Sequence, residues 1–303
     1  MKAAILTNSG QPEVLQIKEI EKPRPKDNEV LIKIYATSVT SGDVSLRSFK
    51  SQRLFWFMMR IMYGLKKPKR SILGSELAGE IISVGKDVKL FKVGDEVFGS
   101  SGMDFGANAQ YISLPEDGTL AIKPSNISYE EAASIPFGAL ASLYFLKKGS
   151  IQKGQKFLIN GASGDVGVFA VQLVKYFGAE VTGVSSTKNL ELVKSLGADT
   201  VIDYTKKDFK EQEELYDLIF DVVGKTSYSE CKNVLTPKGK FVTTKKGLAK
   251  DNIEDFIFLK ELIETKEIKP VIDRHYHLEE IAEAHRYVGK GQKSGSIVLT
   301  VEH

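Results

Sequence analysis

The sequence has a single cysteine, Cys231, so no disulfide can close within the chain and no cysteine-rich zinc lobe can be built. That usage fits a reducing compartment, and the cytoplasm is the expected location. Histidine is scarce as well: His275, His277, His285 and His303 all fall near the C-terminus. His275 and His277 would share one face of a strand, but no third ligand converges on them, and they read as surface or cleft-edge residues. No apolar run is long enough to span a membrane. The most apolar stretch, residues 54–65, falls short of the roughly 20 residues a span needs, and Arg60 interrupts it. It reads as a buried helix or as a flap over an apolar pocket. A signal-peptide pattern is also missing, because Met1-Lys2 leads directly into Ala3-Ala4-Ile5-Leu6 and then Asn8-Ser9-Gly10. Nor does one sign of charge dominate. The 42 basic and 39 acidic side chains are interspersed and leave a net charge of +3, which argues against a nucleic-acid binder with its basic stripe. The one dense basic run, Lys66-Lys67-Pro68-Lys69-Arg70, reads as a solvated loop rather than a docking patch.

What is present describes a soluble α/β protein. With 303 residues, 42% hydrophobic and 27% charged, two domains are the natural expectation. The first part is strand-rich. Residues 30–36 and 77–84 are β-branched runs, and residues 88–99 hold two strand-like pieces hinged at Gly94-Asp95. Near Pro124 the character changes. Residues 130–148 read as helical, with Ser128 as N-cap, Gly149 as stop signal and a kink or restart at Pro136. Strands are then expected at 156–160, 180–184, 200–202, 218–223 and 240–243, and helices at 166–177, 190–196 and 228–235; a last strand covers 296–301. Strands alternating with helices of about ten residues imply a parallel sheet.

The first of those strands runs into Gly161-Ala162-Ser163-Gly164-Asp165-Val166-Gly167 and then a helix. Such a turn offers outward backbone N–H groups at a helix N-terminus, which suits a pyrophosphate. The spacing fits the dinucleotide fingerprint, with Ala162 in place of the first glycine. The bland alternative is a simple tight turn. About 20 residues on, where an NAD enzyme carries Asp or Glu, the chain has Ser185-Ser186-Thr187-Lys188. Hydroxyls and an ammonium suit the 2′-phosphate of NADPH, although Ser186 or Thr187 could serve only to cap the next helix.

At this point the chain resembles the zinc-free quinone oxidoreductase-like branch of the medium-chain dehydrogenase/reductase superfamily. The resemblance is carried by Gly74-Ser75-Glu76-Leu77-Ala78-Gly79-Glu80, Val84-Gly85, the segment 91–99, the loop 161–167, Leu196-Gly197-Ala198-Asp199, Val201-Ile202-Asp203-Tyr204 and Pro270-Val271-Ile272-Asp273-Arg274. It implies a GroES-like β-barrel catalytic domain (residues 1–123, returning at 266–303), a Rossmann doubly wound NADPH-binding domain (124–265), and an active site in a cleft. It further implies that Tyr204 joins Ser185 and Lys188 at the 2′-phosphate, and that Thr40 and Val223 also meet the cofactor. Where zinc-dependent relatives hold a Cys and a His, this chain has Thr40 and Ser75, neither a usual zinc ligand, so no metal is expected.

Three departures stand out. Asp165 replaces a small uncharged residue and would oppose a pyrophosphate while suiting the helix N-terminus. Ala141 stands where many relatives place a Thr, and the segment 244–251 is short by roughly a strand and a helix relative to the resemblance. The expected reaction is hydride transfer from NADPH to a quinone or α,β-unsaturated carbonyl, by a monomer or homodimer with no nucleic-acid partner. Asp43, Tyr63 and Tyr111 are the candidate proton donors. An alcohol or aldehyde dehydrogenase and a catalytically weak NADPH-binding scaffold remain the alternatives.

Overall fold

The computed structural model describes residues 1–48, 71–247, 249 and 252–303. The apolar stretch 54–65 with its candidate Tyr63, the basic run 66–70 and part of the segment 244–251 lie outside the described residues. Two compact units are present: residues 1–136 with 272–303, and residues 137–271.

In the first unit, β1 (Lys2–Leu6) and β2 (Leu15–Glu19) form an antiparallel ribbon. The long strand β3 (Glu29–Ser38) organises the main sheet. Val30, Ile32, Ile34 and Ala36, spaced two apart, are fully buried, as the alternation of a strand requires. One edge of β3 pairs with β4 (Glu76–Val84), which pairs with β5 (Glu96–Ser100) and, through it, β7 (Thr119–Ile122). The other edge is shared by β6 (Tyr111–Pro115) and β14 (Ser296–Thr300), with β13 (Ile272–His277) alongside β14. The C-terminal strands thus complete the sheet begun near the N-terminus. Ile32, Ile34, Leu77, Ile81, Ile297 and Leu299 fill its core. Helix α1 (Ser41–Ser48) follows β3, α2 (Tyr129–Ala133) packs on β3 and β4, and α8 (Ile281–Gly289) lies against α1.

One expected strand piece is absent: residues 88–93, up to the Gly94-Asp95 hinge, form loop and turn. The Glu116 carboxylate accepts the N–H groups of Lys89 and Leu90, both at 2.7 Å, so these donors are satisfied without a ladder. Ser128 caps α2 as expected, in a reciprocal box with Glu131. Because α2 packs on β3 and β4, the compact unit runs to Pro136, past the composition change at residue 124.

In the second unit, α3 (Pro136–Gly149) leads to β8 (Lys156–Asn160), α4 (Asp165–Tyr176), β9 (Glu180–Ser185), α5 (Leu190–Ser195), β10 (Thr200–Asp203), β11 (Tyr216–Asp221), α6 (Tyr228–Cys231), β12 (Leu235–Thr243) and α7 (Ile253–Glu264). The five strands are parallel in the order β10-β9-β8-β11-β12. The order reverses between β8 and β11, the point at which such sheets open a crevice for ligands beyond their carboxyl ends. Helix α6 is shorter than the expected 228–235. It stops at Cys231, a 3-10 turn follows, and Leu235 already pairs with Tyr216. The register then jumps to Lys240 opposite Leu218, leaving Pro237, which has no N–H for a ladder, looped out.

Candidate cofactor site

Three glycines shape the turn between β8 and α4, each for a different reason. Gly161 has φ +91°, a left-handed conformation that favours glycine, and a Cβ there would come within 2.6 Å of the Val223 side chain. Gly167 lies in the first turn of α4, where a Cβ would sit 2.1 Å from the Gly161 carbonyl oxygen. Helix and strand can therefore close up only on glycine. Gly164 differs: its φ of −78° is ordinary and a Cβ would meet the Gly161 oxygen at 3.5 Å, normal contact. The chain's own packing does not demand glycine at 164. Gly164 is also the N-cap of α4, so the first turn of that helix follows it, with the positive end of the helix dipole.

The neighbouring turns assemble around this loop. Val223, 47% exposed, stands beside Gly161 at the end of β11. Asp221 fixes that end: its buried carboxylate accepts from Asn160 Nδ2 at 2.9 Å, Gly224 N at 3.1 Å and Thr226 N at 3.0 Å. Ser163 is buried, and its Oγ accepts from Asn189 Nδ2 at 3.0 Å, tying the glycine turn to the turn after β9. Ser185 closes β9 opposite Asp203 of β10, and the Tyr204 N–H donates to the Ser185 carbonyl at 3.1 Å. Tyr204 is 61% exposed, Lys188 is exposed, and Ser186, two residues before Lys188, is half-buried. Ala162, Ser163, Gly164, Val166, Gly167, Ser185, Ser186, Lys188, Tyr204 and Val223 thus all lie on the strand ends, turns and helix start along the carboxyl edge of one sheet.

Asp165 does not sit as the sequence suggested. It is 7% exposed and leans on α3: a Cβ on Gly138 would be 3.0 Å from its Oδ1 and 2.8 Å from its carbonyl oxygen. Its carboxylate faces the opening turn of α3, where helix N–H groups favour a negative charge. Ala141 is buried in that same helix.

Sequence reasoning missed three polar residues here, Asp203, Asn189 and Asp221, and read Thr187 as a possible helix cap without its tie to Asp203. Each resembles an ordinary loop or strand-end residue, and the partners that matter lie 16, 26 and 61 residues away. The Thr187 hydroxyl donating to Asp203 holds that carboxyl below the usual carboxylate range, assisted by Thr205.

In the first unit Thr40 and Asp43 form a closed cluster. Asp43 Oδ2 accepts from Thr40 N (2.8 Å) and Thr40 Oγ1 (2.7 Å), its Oδ1 accepts from Gly74 N (3.0 Å), and its own N–H donates to Thr40 Oγ1 (3.2 Å). This is a capping box on α1 that also anchors the segment before β4. Burial pushes the Asp43 carboxyl up, partly offset by these donors. Nearby, Thr37 Oγ1 donates to the Glu76 carbonyl at 2.7 Å, and Ser38 Oγ to the buried Glu76 carboxylate. Tyr111 is not part of this cluster. It pairs with Lys33 on β3, about 17 Å along the strand from Ser38. Its ring lies between Lys22 Nζ, 3.9 Å from the centroid, and His303, 5.2 Å away. Among the described residues no group of three or more His, Cys, Asp or Glu is placed to hold a metal ion, and no helix is long and apolar enough to cross a membrane.

Comparison with known proteins adds to this geometry. A family described as "Alcohol dehydrogenase GroES-like domain" matches residues 26–124, and one described as "Zinc-binding dehydrogenase" matches residues 166–285. The chain is 32% identical over 323 residues to a 2-methylene-furan-3-one reductase of Solanum lycopersicum, covering 99% of this chain and 79% of the relative. The alignment is longer than the chain itself, so the relative carries residues without a counterpart here. An Arabidopsis thaliana protein, NADPH-dependent alkenal/one oxidoreductase, chloroplastic, is 29% identical over the same shares. Among solved structures, the quinone oxidoreductase from Coxiella burnetii superposes with a TM-score of 0.90 at 28% identity, covering 100% of this chain and 99% of that one.

Proposed function

Because the chain belongs to the quinone oxidoreductase-like branch of the medium-chain dehydrogenase/reductase superfamily, with its GroES-like and Rossmann parts, we propose that this nicotinamide-dependent oxidoreductase is an NADPH-dependent, zinc-independent reductase of quinones or α,β-unsaturated carbonyls. The observation that carries the proposal is the glycine turn. Gly161 and Gly167 are required by backbone and packing, while a Cβ at Gly164, over a helix N-terminus at the point where the strand order reverses, would make only ordinary contact. Residues 162–167 would hold the pyrophosphate through backbone N–H groups, and Val223 would contact the cofactor beside Gly161. Ser185, Ser186, Lys188 and Tyr204 would take the 2′-phosphate, with no carboxylate at the end of β9 to repel it.

Bound nicotinamide would supply the hydride. The chain's own work is to bind, orient and exclude water. A conjugated acceptor places the developing charge on its own oxygen, so the reaction does not call for a Lewis acid where Thr40 and Ser75 stand. The Asp43 carboxylate is occupied by Thr40 and Gly74, and its part is to hold Thr40 in place. The names of the tomato, Arabidopsis and Coxiella relatives agree with an enone, enal or quinone acceptor.

Fluorescence titration with NADPH and NADH, followed by NADPH-oxidation assays on chelator-treated protein, tests this. We expect tighter binding of NADPH, turnover of quinones or enones, and little oxidation of simple alcohols. Stoichiometric zinc with alcohol oxidation lost on chelation would favour a dehydrogenase. Tight NADPH binding with no turnover of any conjugated acceptor would favour a scaffold.

A further inference from the structure

We propose that Asp203 is a positioning residue that makes this chain prefer a phosphorylated dinucleotide, by tying together the two turns that present Ser185, Lys188 and Tyr204. The inference rests on the cofactor reading above and assigns a role to a residue outside that site's contact set.

Asp203 is the last residue of β10 and lies opposite Ser185, the last residue of β9. Its carboxylate reaches both turns that follow. Oδ2 accepts from Thr187 Oγ1 at 2.5 Å, and Oδ1 accepts from Thr205 N at 3.0 Å and Thr205 Oγ1 at 2.7 Å. The two threonine hydroxyl oxygens are 3.1 Å apart. The Asp203 carbonyl accepts the N–H groups of Lys206 and Lys207, both at 3.0 Å, which tightens the turn behind Tyr204. Thr187 opens the 3-10 turn Thr187–Asn189, so the same tie positions Lys188. That turn ends on Asn189, whose amide donates to Ser163 in the glycine turn. One run of hydrogen bonds therefore links Thr205, Asp203, Thr187 and, through the turn, Asn189 and Ser163.

Exposed lysine and tyrosine side chains lose rotamer freedom when they engage a ligand, and fixing their backbone beforehand reduces that cost. A bare carboxylate beside a phosphate would be unfavourable by charge alone. Here its lone pairs are taken by two hydroxyls and a backbone N–H, with Lys206 Nζ at 3.7 Å. Asp203 therefore contributes through geometry. A carboxamide of the same shape can keep the tie: its oxygen accepts from Thr205 and its amide donates to Thr187.

The test is fluorescence titration of NADPH and NADH against wild-type protein, Asp203→Ala, Asp203→Asn and Thr187→Val, with thermal unfolding to confirm folding. Asp203→Ala should weaken NADPH by about tenfold and NADH by less than about twofold. Asp203→Asn should stay within about threefold of wild type for both, and Thr187→Val should cost about threefold for NADPH alone. If Asp203→Ala weakens both cofactors equally, leaves both unchanged or tightens NADPH, the inference is overturned. The same holds if Asp203→Asn is as impaired as Asp203→Ala. Should Asp203→Ala not fold, the Asn and Val variants decide by the same ratio. A wild-type protein without preference for NADPH would overturn the cofactor reading first and this inference with it, a failure visible before any variant is compared.

Discussion

Around residues 161–167 in the parallel unit, the proposed cofactor contacts are made by the backbone at the start of α4. Around Thr40 in the antiparallel unit, the polar groups are side chains that satisfy one another: Asp43 on Thr40 and Gly74, Thr37 and Ser38 on Glu76. The first arrangement is open, because its glycines remove side chains from the place a ligand would take. The second is closed, because the Asp43 carboxylate accepts from Thr40 and Gly74 and the Glu76 carboxylate from Ser38. An open backbone site binds; a closed buried network holds its surroundings rigid. Under the proposed function, the candidate acid Asp43 therefore belongs to the scaffold of its unit and Gly164 to the binding surface of the other.

Within the open site, two glycine substitutions should separate binding from folding. Gly167→Val forces a side chain into the Gly161 carbonyl and should destabilise the protein by about 3 kcal/mol, read by urea unfolding. Gly164→Ala should leave stability within about 0.5 kcal/mol of wild type while weakening NADPH about tenfold in fluorescence titration. Equal loss of stability in the two variants would break the distinction between a packing glycine and a ligand-facing one.

The closed network predicts the reverse pattern. Asp43→Ala removes three acceptor contacts and a helix cap and should cost about 2 kcal/mol of stability. The pH dependence of turnover should keep its shape, since Asp43 is assigned no proton transfer. A variant of native stability whose pH–rate profile loses one limb would move Asp43 from scaffold to catalysis.

The same contrast explains what the sequence made legible. Strand–turn–helix order, the Ser128 cap and the glycine turn are local patterns, and local periodicity and capping chemistry reveal them. Residues 88–93 misled because their β-branched and apolar content is read as strand, while the deciding group, Glu116, lies more than twenty residues away. Helix α6 fell short because the sheet takes Leu235, a tertiary demand that overrides local helix preference. Asp165 could be placed at a helix N-terminus from sequence. Its direction could not, since that depends on Gly138 of α3. Asp203 and Asp221 were hidden for a related reason: a strand-ending aspartate gives no sign of which turns it will join.

The smallest expected effect concerns acid, and it should fall on the antiparallel unit. His285 of α8 is fully buried there, with Nδ1 accepting from Arg47 Nε at 3.3 Å, so Nε2 carries the proton and has no hydrogen-bond partner among the described residues. Burial, reinforced by the Arg47 charge, pushes its imidazole down from 6.5 to about 3. The unfolded chain takes up this proton as the pH falls through the ordinary histidine range, while the native state resists until about pH 3. Below pH 6.5 the unfolded state therefore binds more protons, and stability falls towards pH 3. Arg47 is the cation facing the ring, with Glu13 near Arg47, and neither loses its charge through most of this range. Asp43, raised by burial, acts in the opposite sense, since the folded state takes up its proton first as the pH drops. A His285→Gln variant retains Asp43, so its difference from wild type isolates the histidine. Glutamine can still accept from Arg47 through its carbonyl, which keeps the neutral contact. Urea midpoints measured from pH 7 down to pH 4 should show wild type losing stability relative to His285→Gln, on the order of 1 kcal/mol per pH unit below the histidine range. Parallel curves for the two proteins would show that His285 is protonated as readily in the native state as in the unfolded chain, and that the buried site beside Arg47 tolerates a second charge.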